Sequence, residues 1–179
     1  HQLELTFRLT DAPTAQERVF GHLLAEVEGA ATESDLRGAL DLPKTTTHVA
    51  LAALVEQGLV AEERVGRTGL YSVRADDPLV RALKQARAIR RVQEAVAPIE
   101  DLVDLVVLFG SASRGEDRPG SDVDVLVVTR DKDTVLDELA RHPWLQPVVL
   151  SADEHMAIIA EDGTFARATA AGTVLRRRA

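Results

Sequence analysis

The chain has 179 residues, enough for one ordinary domain or two small ones, and 45% of them are hydrophobic, so it can bury a core. It contains no cysteine, which excludes disulfides, a thiolate nucleophile and cysteine-ligated zinc, and its 3% of aromatic residues are too few for a base-stacking platform. The net charge of −8 argues against a protein that binds nucleic acid over its whole surface. The longest apolar run near the middle, 105–109, is far below the roughly 18 residues of a membrane helix, so we expect a cytoplasmic protein with no membrane partner.

The hydrophobic periodicity in the first half of the chain predicts a strand, then three helices, then a hairpin. The predicted elements are a strand over 3–9, helices from 14 to a stop at Gly29, over 32–40 and over 44–57, and hairpin strands over 59–64 and 69–74. Thr14 with Glu17 predicts a capping box, and Thr32 predicts the next helix cap. The third helix is expected to bury its aliphatic residues, which are Val49, Leu51, Ala52, Leu54 and Val55.

Three helices followed by a basic hairpin are typical of a winged helix-turn-helix, and residues 14–74 resemble the winged-helix domains of the MarR and ArsR regulator families. In that arrangement the third helix enters the major groove of double-stranded DNA and the hairpin contacts the backbone or the minor groove. The candidate DNA-binding residues are Lys44, Thr45, Thr46, Thr47 and His48 on the helix and Arg64 and Arg67 on the wing. The alternative is a protein-interaction module that makes no DNA contact.

The distribution of basic residues along the chain is consistent with one local surface that binds a polyanion. The segment from Lys44 to Arg91 holds nine basic and five acidic side chains, a net of +4 within an acidic chain. The same pattern also fits the solvated faces of helices, and composition alone does not separate the two interpretations.

A connecting helix is predicted over 78–97, between Pro78 and Pro98. Its apolar stripe is expected to comprise Leu79, Leu83, Ala86, Ile89, Val92 and Val96, with Arg81, Lys84, Arg87, Arg90 and Arg91 covering the remaining surface. Such a helix can pack on its own domains or on its twin, and the second option predicts a homodimer bound to paired DNA half-sites.

The second half of the chain brings small and acidic residues together. A buried-type strand over 105–109 runs into Gly110 and Ser111, whose hydroxyl and amide groups can accommodate phosphate oxygens. A second strand over 122–128 starts with Asp122 and Asp124, which project from one face because strand side chains alternate. Two carboxylates this close are tolerable when Mg²⁺ or Mn²⁺ lies between them. An Asp-x-Asp alone would more simply be the solvent face of an edge strand.

Together, Leu108-Phe109-Gly110-Ser111, Arg114-Gly115 and Ser121-Asp122-Val123-Asp124 resemble the signature of the polymerase-beta-type nucleotidyltransferases in their minimal form. The resemblance implies that Gly110 and Ser111 bind nucleotide phosphates and that Asp122 and Asp124 are catalytic residues that bind two magnesium ions. It implies transfer of a nucleoside monophosphate from a nucleoside triphosphate (NTP) to a hydroxyl or phosphate, with release of pyrophosphate. Arg114 would orient the loop or neutralise phosphate charge.

The sequence departs from this family at a third carboxylate, which active members carry on the next strand. Here that strand is predicted over 145–150, after a helix over 133–141, and the acidic position falls at or near Gln146. Loss of this charge is expected to weaken the metal ion that serves the nucleophile. Asp153 or Glu154, just past the strand, is a possible substitute. The tail is expected to form one or two small helices with Ile158, Ile159, Phe165, Val174 and Leu175 in the core, followed by a solvated run of arginines over 176–178.

The sequence thus predicts an α+β protein with a winged helix-turn-helix over 1–76, a connecting helix over 77–98 and a nucleotidyltransferase-like domain with a small mixed sheet over 99–179. Its leading functional hypothesis is a DNA-binding transcription regulator that binds NTP and Mg²⁺ with weak or absent transfer activity. The alternatives are an active nucleotidyltransferase that modifies a partner protein or other acceptor, as the related minimal antitoxins do, and a structural module whose sites are vestigial.

Overall fold

The structure, a computed structural model, describes residues 13–178 and divides into two compact units after Arg74. It is a mixed α and β protein with seven α-helices and two sheets among these residues. None of the helices in the described range combines the length and hydropathy needed to cross a bilayer. The strand predicted over 3–9 lies outside the described residues.

The N-terminal unit contains three helices and a three-stranded antiparallel sheet. Its elements are α1 (Ala15–Ala25), β1 (Ala31–Thr32), α2 (Glu33–Leu40), α3 (Lys44–Glu56), β2 (Val60–Val65) and β3 (Thr68–Val73), and the strand order is β1-β3-β2. The predicted capping box at Thr14 and Glu17 is confirmed, and Thr32 forms a second box with Asp35. The two-residue strand β1 was not predicted, because a pair of residues has no detectable period.

The outward face of α3 differs from the prediction. Thr47, Ala50, Leu51 and Leu54 are buried at spacings of three and four, which leaves Val49 and Ala52 on the exposed face. The expectation that Val49 and Ala52 are core residues is therefore wrong. An all-aliphatic stretch hides which of its residues face inward, since every helical face there reads as apolar.

The C-terminal unit contains a four-stranded mixed sheet with helices on both faces. Its elements are α4 (Pro78–Val96), a 3₁₀ turn (Ala97–Leu102), β4 (Val103–Leu108), a 3₁₀ turn (Ala112–Arg114), β5 (Val123–Thr129), α5 (Lys132–Leu139), β6 (Leu145–Leu150), α6 (Ala152–Glu161), α7 (Thr164–Ala170) and β7 (Thr173–Arg177). The strand order is β6-β5-β4-β7, in which only β5 and β6 run parallel. The small mixed sheet is confirmed.

The tail departs from the prediction at the last strand. Residues 173–177 pair antiparallel with β4, and Arg176 is half-buried in an ion pair with Glu100, so the arginine run is not simply solvated. Val174 is about half exposed because its side chain leaves the edge strand toward solvent. The short stretch Thr173–Arg177 has too few apolar residues to predict a strand.

The two faces of this sheet are covered unequally. One face packs Val106, Val125 and Val127 against buried residues of α4 and α5. The other holds a smaller cluster that includes Phe109, whose ring meets Phe165 edge-on with centroids 5.5 Å apart. Helix α6 buries none of its residues, so the placement of Ile159 in the core was wrong.

The buried face of α4 agrees with the prediction only in part, at Val92 and Val96. Its buried residues are Val80, Lys84, Ala88, Val92, Ala95 and Val96, whereas Leu79 and Ala86 are exposed. Lys84 interrupts a series of apolar residues spaced four apart. Without this lysine, the series would identify the buried face of the helix by its hydrophobicity. Helix α4 lies in the C-terminal unit.

Candidate functional site

The predicted phosphate loop begins beside the two aspartates because β4 and β5 pair antiparallel. Leu108, the last residue of β4, lies opposite Val125, and the amide of Phe109 donates to the carbonyl of Asp124 at 3.1 Å. Gly110 therefore lies two residues beyond the end of β4, beside Asp124 near the start of β5.

Gly110 and Asp124 approach more closely than any other residue at position 110 would allow. Gly110 has φ of +72°, a left-handed conformation that side chains disfavour. A Cβ built there would lie less than 3.0 Å from Oδ2 of Asp124 and 3.2 Å from its Cγ. The glycine thus permits both the turn and the contact, and it places the backbone of the loop against a carboxylate.

The two aspartates differ in exposure and affect each other. Asp122 is exposed and lies just before β5, while Asp124 is the second residue of β5 and is half-buried. Burial, and secondarily the nearby negative charge of Asp122, raises the pKa of Asp124 above its usual value. A cation between them would relieve both penalties.

The loop after Gly110 is folded back on Gly110 itself. The Ser113 hydroxyl and Nη1 of Arg114 both donate to the Gly110 carbonyl, at 2.8 and 2.9 Å, and Nε of Arg114 donates to Glu116 at 2.8 Å. Of the two roles predicted for Arg114, these contacts favour orientation of the loop. The half-buried Ser111 accepts the amides of Arg114 and Glu116 through its carbonyl, at 3.0 Å each.

The neighbouring strand places Gln146 where the third carboxylate was expected. Asp124 and Gln146 are register partners in the parallel pair of β5 and β6, so their side chains lie on one face of the sheet. Gln146 is exposed and offers a neutral amide oxygen.

Neither proposed substitute for that carboxylate reaches the site. Leu150, which ends β6, is four residues or roughly 13 Å along the strand from Gln146, and α6 begins beyond it. Glu154 is also occupied at that far end, because it accepts the amide of Ser151 at 2.7 Å and Nζ of Lys132 at 2.9 Å. The hydrogen bond to Ser151 and the contact with Lys132 lower the pKa of Glu154 to about 2. The suggestion that Asp153 or Glu154 replaces the missing acid is wrong.

The donor set suits a single cation shared with a ligand. No cluster of three or more His, Cys, Asp or Glu side chains that could hold a metal occurs within residues 13–178. Magnesium and manganese are, however, held by one or two carboxylates when substrate phosphates and water complete the shell. Asp122 and Asp124 fit that arrangement, with Gln146 as an uncharged neighbour.

The candidate DNA-binding residues of α3 are only partly available. Lys44, Thr45 and His48 are exposed and Thr46 is half-buried. Thr47 is fully buried and donates to the Pro43 carbonyl at 3.1 Å, so its assignment to a DNA-contacting surface is wrong. Its hydroxyl satisfies the helix backbone while its methyl group joins the core.

Sequence reasoning missed one exposed residue on the same helix. Val49 is 62% exposed, in the turn that presents His48. The prediction of a DNA-contacting surface rested on the polar residues of the first turn of α3. An apolar side chain at position 49 did not indicate that this position is exposed. Arg64 and Arg67 are exposed on the β2–β3 hairpin, where the wing of the prediction lies.

Charge on the N-terminal unit is weaker than the sequence total suggested. Between residues 44 and 74 there are four basic and three acidic side chains, a net of +1, because the other five basic residues of the zone belong to α4. Arg64 pairs with Glu62 at 3.1 Å and His48 contacts Glu33 at 3.2 Å. Within α4, Lys84 is buried and Arg91 lies 3.9 Å above the ring of Trp144. The basic zone therefore divides between the two units.

Two cavities in the C-terminal unit lie away from the aspartates. One, of about 250 Å³, is lined by residues including Val92, Val106 and Leu175, and the other, of about 520 Å³, by residues including Asp104 and Arg130. Gly110, Asp122 and Asp124 line neither of them.

Residues 89–166 match the family model described as the nucleotidyltransferase domain. The matched stretch includes the loop, both aspartates and Gln146. The match covers 78 of the 179 residues and ends before β7.

Three chains of solved structures match this chain significantly, among them the following two. A protein from Sulfolobus solfataricus assigned as a nucleotidyltransferase is 22% identical with a TM-score of 0.35, over 44% of this chain and 79% of that one. A mutant of the MntA–HpeT toxin–antitoxin is 14% identical with a TM-score of 0.32, over 50% and 73% respectively. No curated protein sequence matches this chain significantly.

Proposed function

We propose that the C-terminal unit binds a nucleoside triphosphate together with one Mg²⁺ or Mn²⁺ ion, and that the N-terminal unit is a winged helix-turn-helix that binds double-stranded DNA. The chain would then be a transcription regulator whose nucleotidyltransferase domain acts as a sensor. The observation that carries the nucleotide site is the approach of Gly110 to Asp124, which brings the small-residue loop and the carboxylates to one point.

In this proposal each part of the site has one task. Asp122 and Asp124 hold the cation, and a bound divalent cation neutralises charge on the triphosphate. Backbone amides and the hydroxyl of Ser111 receive phosphate oxygens, while Ser113 and Arg114 keep the loop folded by donating to Gly110. In this proposal all of the residues that bind the nucleotide and the cation belong to the C-terminal unit.

The arrangement of Gln146 beside Asp124 supports slow nucleotidyl transfer or none. Two divalent ions bring a charge of +4, and the strand that would supply a third carboxylate presents Gln146 at the level of Asp124. The ion that would activate an acceptor hydroxyl therefore has one fewer anionic ligand, while the ion that accompanies the triphosphate keeps its two.

The winged-helix proposal is supported by the order of elements and by exposure on α3 and the hairpin. Lys44, Thr45 and His48 are available to a major groove, and Arg64 and Arg67 to the adjoining backbone. The proposed regulator binds paired half-sites as a homodimer. Nucleotide alters its DNA affinity only if the nucleotide binds the two DNA-binding states unequally.

A second candidate is an active nucleotidyltransferase that modifies a partner protein. The match of residues 89–166 to the nucleotidyltransferase domain model favours it, because the matched stretch includes both aspartates. In this candidate Gln146 would contribute a neutral amide oxygen where a third carboxylate is expected. In such a reaction an acceptor hydroxyl attacks the α-phosphorus, the bond from that phosphorus to the bridging oxygen breaks, and the acceptor proton leaves with pyrophosphate as the other product.

Calorimetry with each NTP, in the presence and absence of Mg²⁺, tests the nucleotide site. We expect cation-dependent binding, and its absence for all four NTPs would overturn the proposal. Incubation with α-labelled NTPs separates the two candidates, since label transfer that vanishes in Asp122→Ala identifies the active enzyme.

Titration of upstream DNA at several salt concentrations tests the N-terminal unit. We expect the affinity to fall steeply with salt and to weaken in Arg67→Ala, because phosphate contacts release counterions. Binding that is absent or insensitive to salt would contradict the DNA-binding role and favour a protein-interaction module.

A further inference from the structure

A buried lysine on α4 contacts the loop that follows Gly110. Lys84 is only 8% exposed, and its ammonium group donates to the carbonyl of Asp117 and lies 3.5 Å from the Asp117 carboxylate. Burial of a lysine is costly unless the charge is paired and hydrogen-bonded, and here both partners belong to one loop residue.

The next residue of α4 reaches the same loop. Nε2 of Gln85 donates to the Ser113 carbonyl at 2.7 Å and to the Thr173 hydroxyl at 3.3 Å. One turn earlier, the backbone of Arg81 lies so close to Gly115 that a Cβ at 115 would come within 3.0 Å of it. A single turn of α4 thus contacts loop positions 113, 115 and 117.

These contacts restrain the loop from α4. On the other side, Ser113 and Arg114 donate to the carbonyl of Gly110, and Gly110 abuts Asp124. Contacts with α4 and with the start of β5 therefore hold the loop, and its shape depends on both.

We infer that Lys84 and Gln85 are positioning residues that hold the loop over 111–117 in the shape that receives the triphosphate. The inference rests on the proposed nucleotide site and adds residues that precede the matched stretch at 89–166. Lys84 acts through Asp117 and not on phosphate, since its ammonium group is buried against that residue. Gln85 acts through the Ser113 carbonyl.

The test uses the full chain with Lys84→Met and Gln85→Leu. The matched control is Lys132→Met, which removes a lysine–carboxylate pair of the same unit at the far end of β6. Three quantities are measured for each: the affinity for Mn²⁺ alone, the affinity for a non-hydrolysable NTP analogue with Mn²⁺, and the hydrogen exchange of the Arg114 and Glu116 amides, which donate to Ser111.

We expect both loop variants to bind the analogue about tenfold more weakly, with Mn²⁺ affinity changed less than about threefold, because Lys84 and Gln85 contact Asp117 and Ser113 of the loop and not the two aspartates. The two loop amides should exchange faster, and Lys132→Met should change none of the three quantities. Asp117→Asn combined with Lys84→Met should lose no more affinity than Lys84→Met alone, since the two residues act as one pair.

Unchanged analogue binding and exchange in a folded Lys84→Met and Gln85→Leu would overturn the inference, as would equal losses of Mn²⁺ and analogue affinity. If Lys84→Met does not fold, Gln85→Leu alone carries the test. Failure of the wild-type protein to bind the analogue would instead overturn the nucleotide site, and the exchange measurement would still decide whether α4 orders the loop.

Discussion

Two carboxylates near opposite ends of the β5–β6 strand pair have opposite electrostatic environments. Asp124, at the start of β5, has a raised pKa because it is partly buried and faces Asp122. Glu154, beyond the end of β6, has a pKa of about 2 because Ser151 and Lys132 stabilise its charge. Glu154 caps a helix and is satisfied within the protein, whereas Asp124 gains from an external cation.

This difference separates a carboxylate that is satisfied within the protein from the proposed cation ligand more clearly than sequence does. In the sequence Glu154 was a candidate for the site only because it comes just past the predicted third strand. The partners decide between them: a hydrogen-bonded carboxylate has little to gain from a metal, and a repelled one has much.

The largest expected effect is from Asp124→Asn, which should abolish cation-dependent nucleotide binding, a loss of at least about 100-fold. The substitution keeps the shape and removes the charge that holds the ion. Calorimetry with Mg²⁺ and NTP measures it, and Glu154→Gln, the matched change at the far end, should bind like the wild-type protein. Equal losses in the two variants would erase the contrast between the two carboxylates.

Gly110→Ala should weaken nucleotide binding by about tenfold and lower the free energy of unfolding by about 1–2 kcal/mol, because its φ is left-handed and its Cβ meets Asp124. Gly120→Ala is the control, since Gly120 has φ of +76° with open space around it. It should show the same backbone cost in chemical unfolding with little change in affinity. If the two variants bind nucleotide equally well, the contact with Asp124 has no role in the site.

Gln146→Glu sharpens the comparison by adding the missing acid beside Asp124. We expect about tenfold tighter Mn²⁺ binding, from a second ion or a stronger first one, because a third anionic oxygen joins the set. Gln93→Glu, an equal charge change at an exposed position of α4, should leave Mn²⁺ affinity unchanged. An unaltered Mn²⁺ titration in Gln146→Glu would place Gln146 outside the metal site.

The smallest effects concern pH, and they have opposite signs at the two carboxylates. The raised pKa of Asp124 favours folding below the ordinary value of 3.8, and that contribution is lost as pH rises through the raised pKa. The lowered pKa of Glu154 favours folding above 4.5, and that contribution is lost as pH falls toward about 2. Chemical unfolding between pH 3 and 7 should therefore show Asp124→Asn gaining stability relative to wild type at the upper end, by less than about 1 kcal/mol because the group is largely solvated.

Mn²⁺ binding follows the same titration, because only the ionised Asp124 holds a cation. Its affinity should begin to fall on acidification at a higher pH than an ordinary aspartate would give, and Asp122→Asn should move the residual binding to lower pH. Mn²⁺ affinity that stays constant down to pH 4 would contradict the assigned role of Asp124.

Much of the C-terminal unit could be predicted from sequence because its motif is encoded by backbone requirements. A glycine at a left-handed turn and two acids at the start of a strand could be identified directly. The place of Gln146 was predicted from the family resemblance, and the pairing of the strands was not predicted. The contacts of Lys84 could not be predicted, because a lysine in an amphipathic helix is normally assigned to solvent.

The N-terminal unit shows the limit of pattern reading. The order of the helices and hairpin was predicted, and the bounds of α2 and α3 agree to within one residue, since caps and turns are local signals. The first helix ends at Ala25, short of the predicted stop at Gly29. The exposed face of α3 was not predicted, because the polar Thr47 is buried and the apolar Val49 is exposed, the reverse of what their polarity suggests. Which residues of that helix are available to a partner depends on tertiary packing.

The most direct test of the central claim is the number of Mn²⁺ ions bound per chain with a saturating non-hydrolysable NTP analogue, counted by electron paramagnetic resonance. The account predicts one ion, held by Asp122 and Asp124 with the phosphates, and none in Asp124→Asn. No bound ion in the wild-type protein, or two with Gln146 intact, would contradict it.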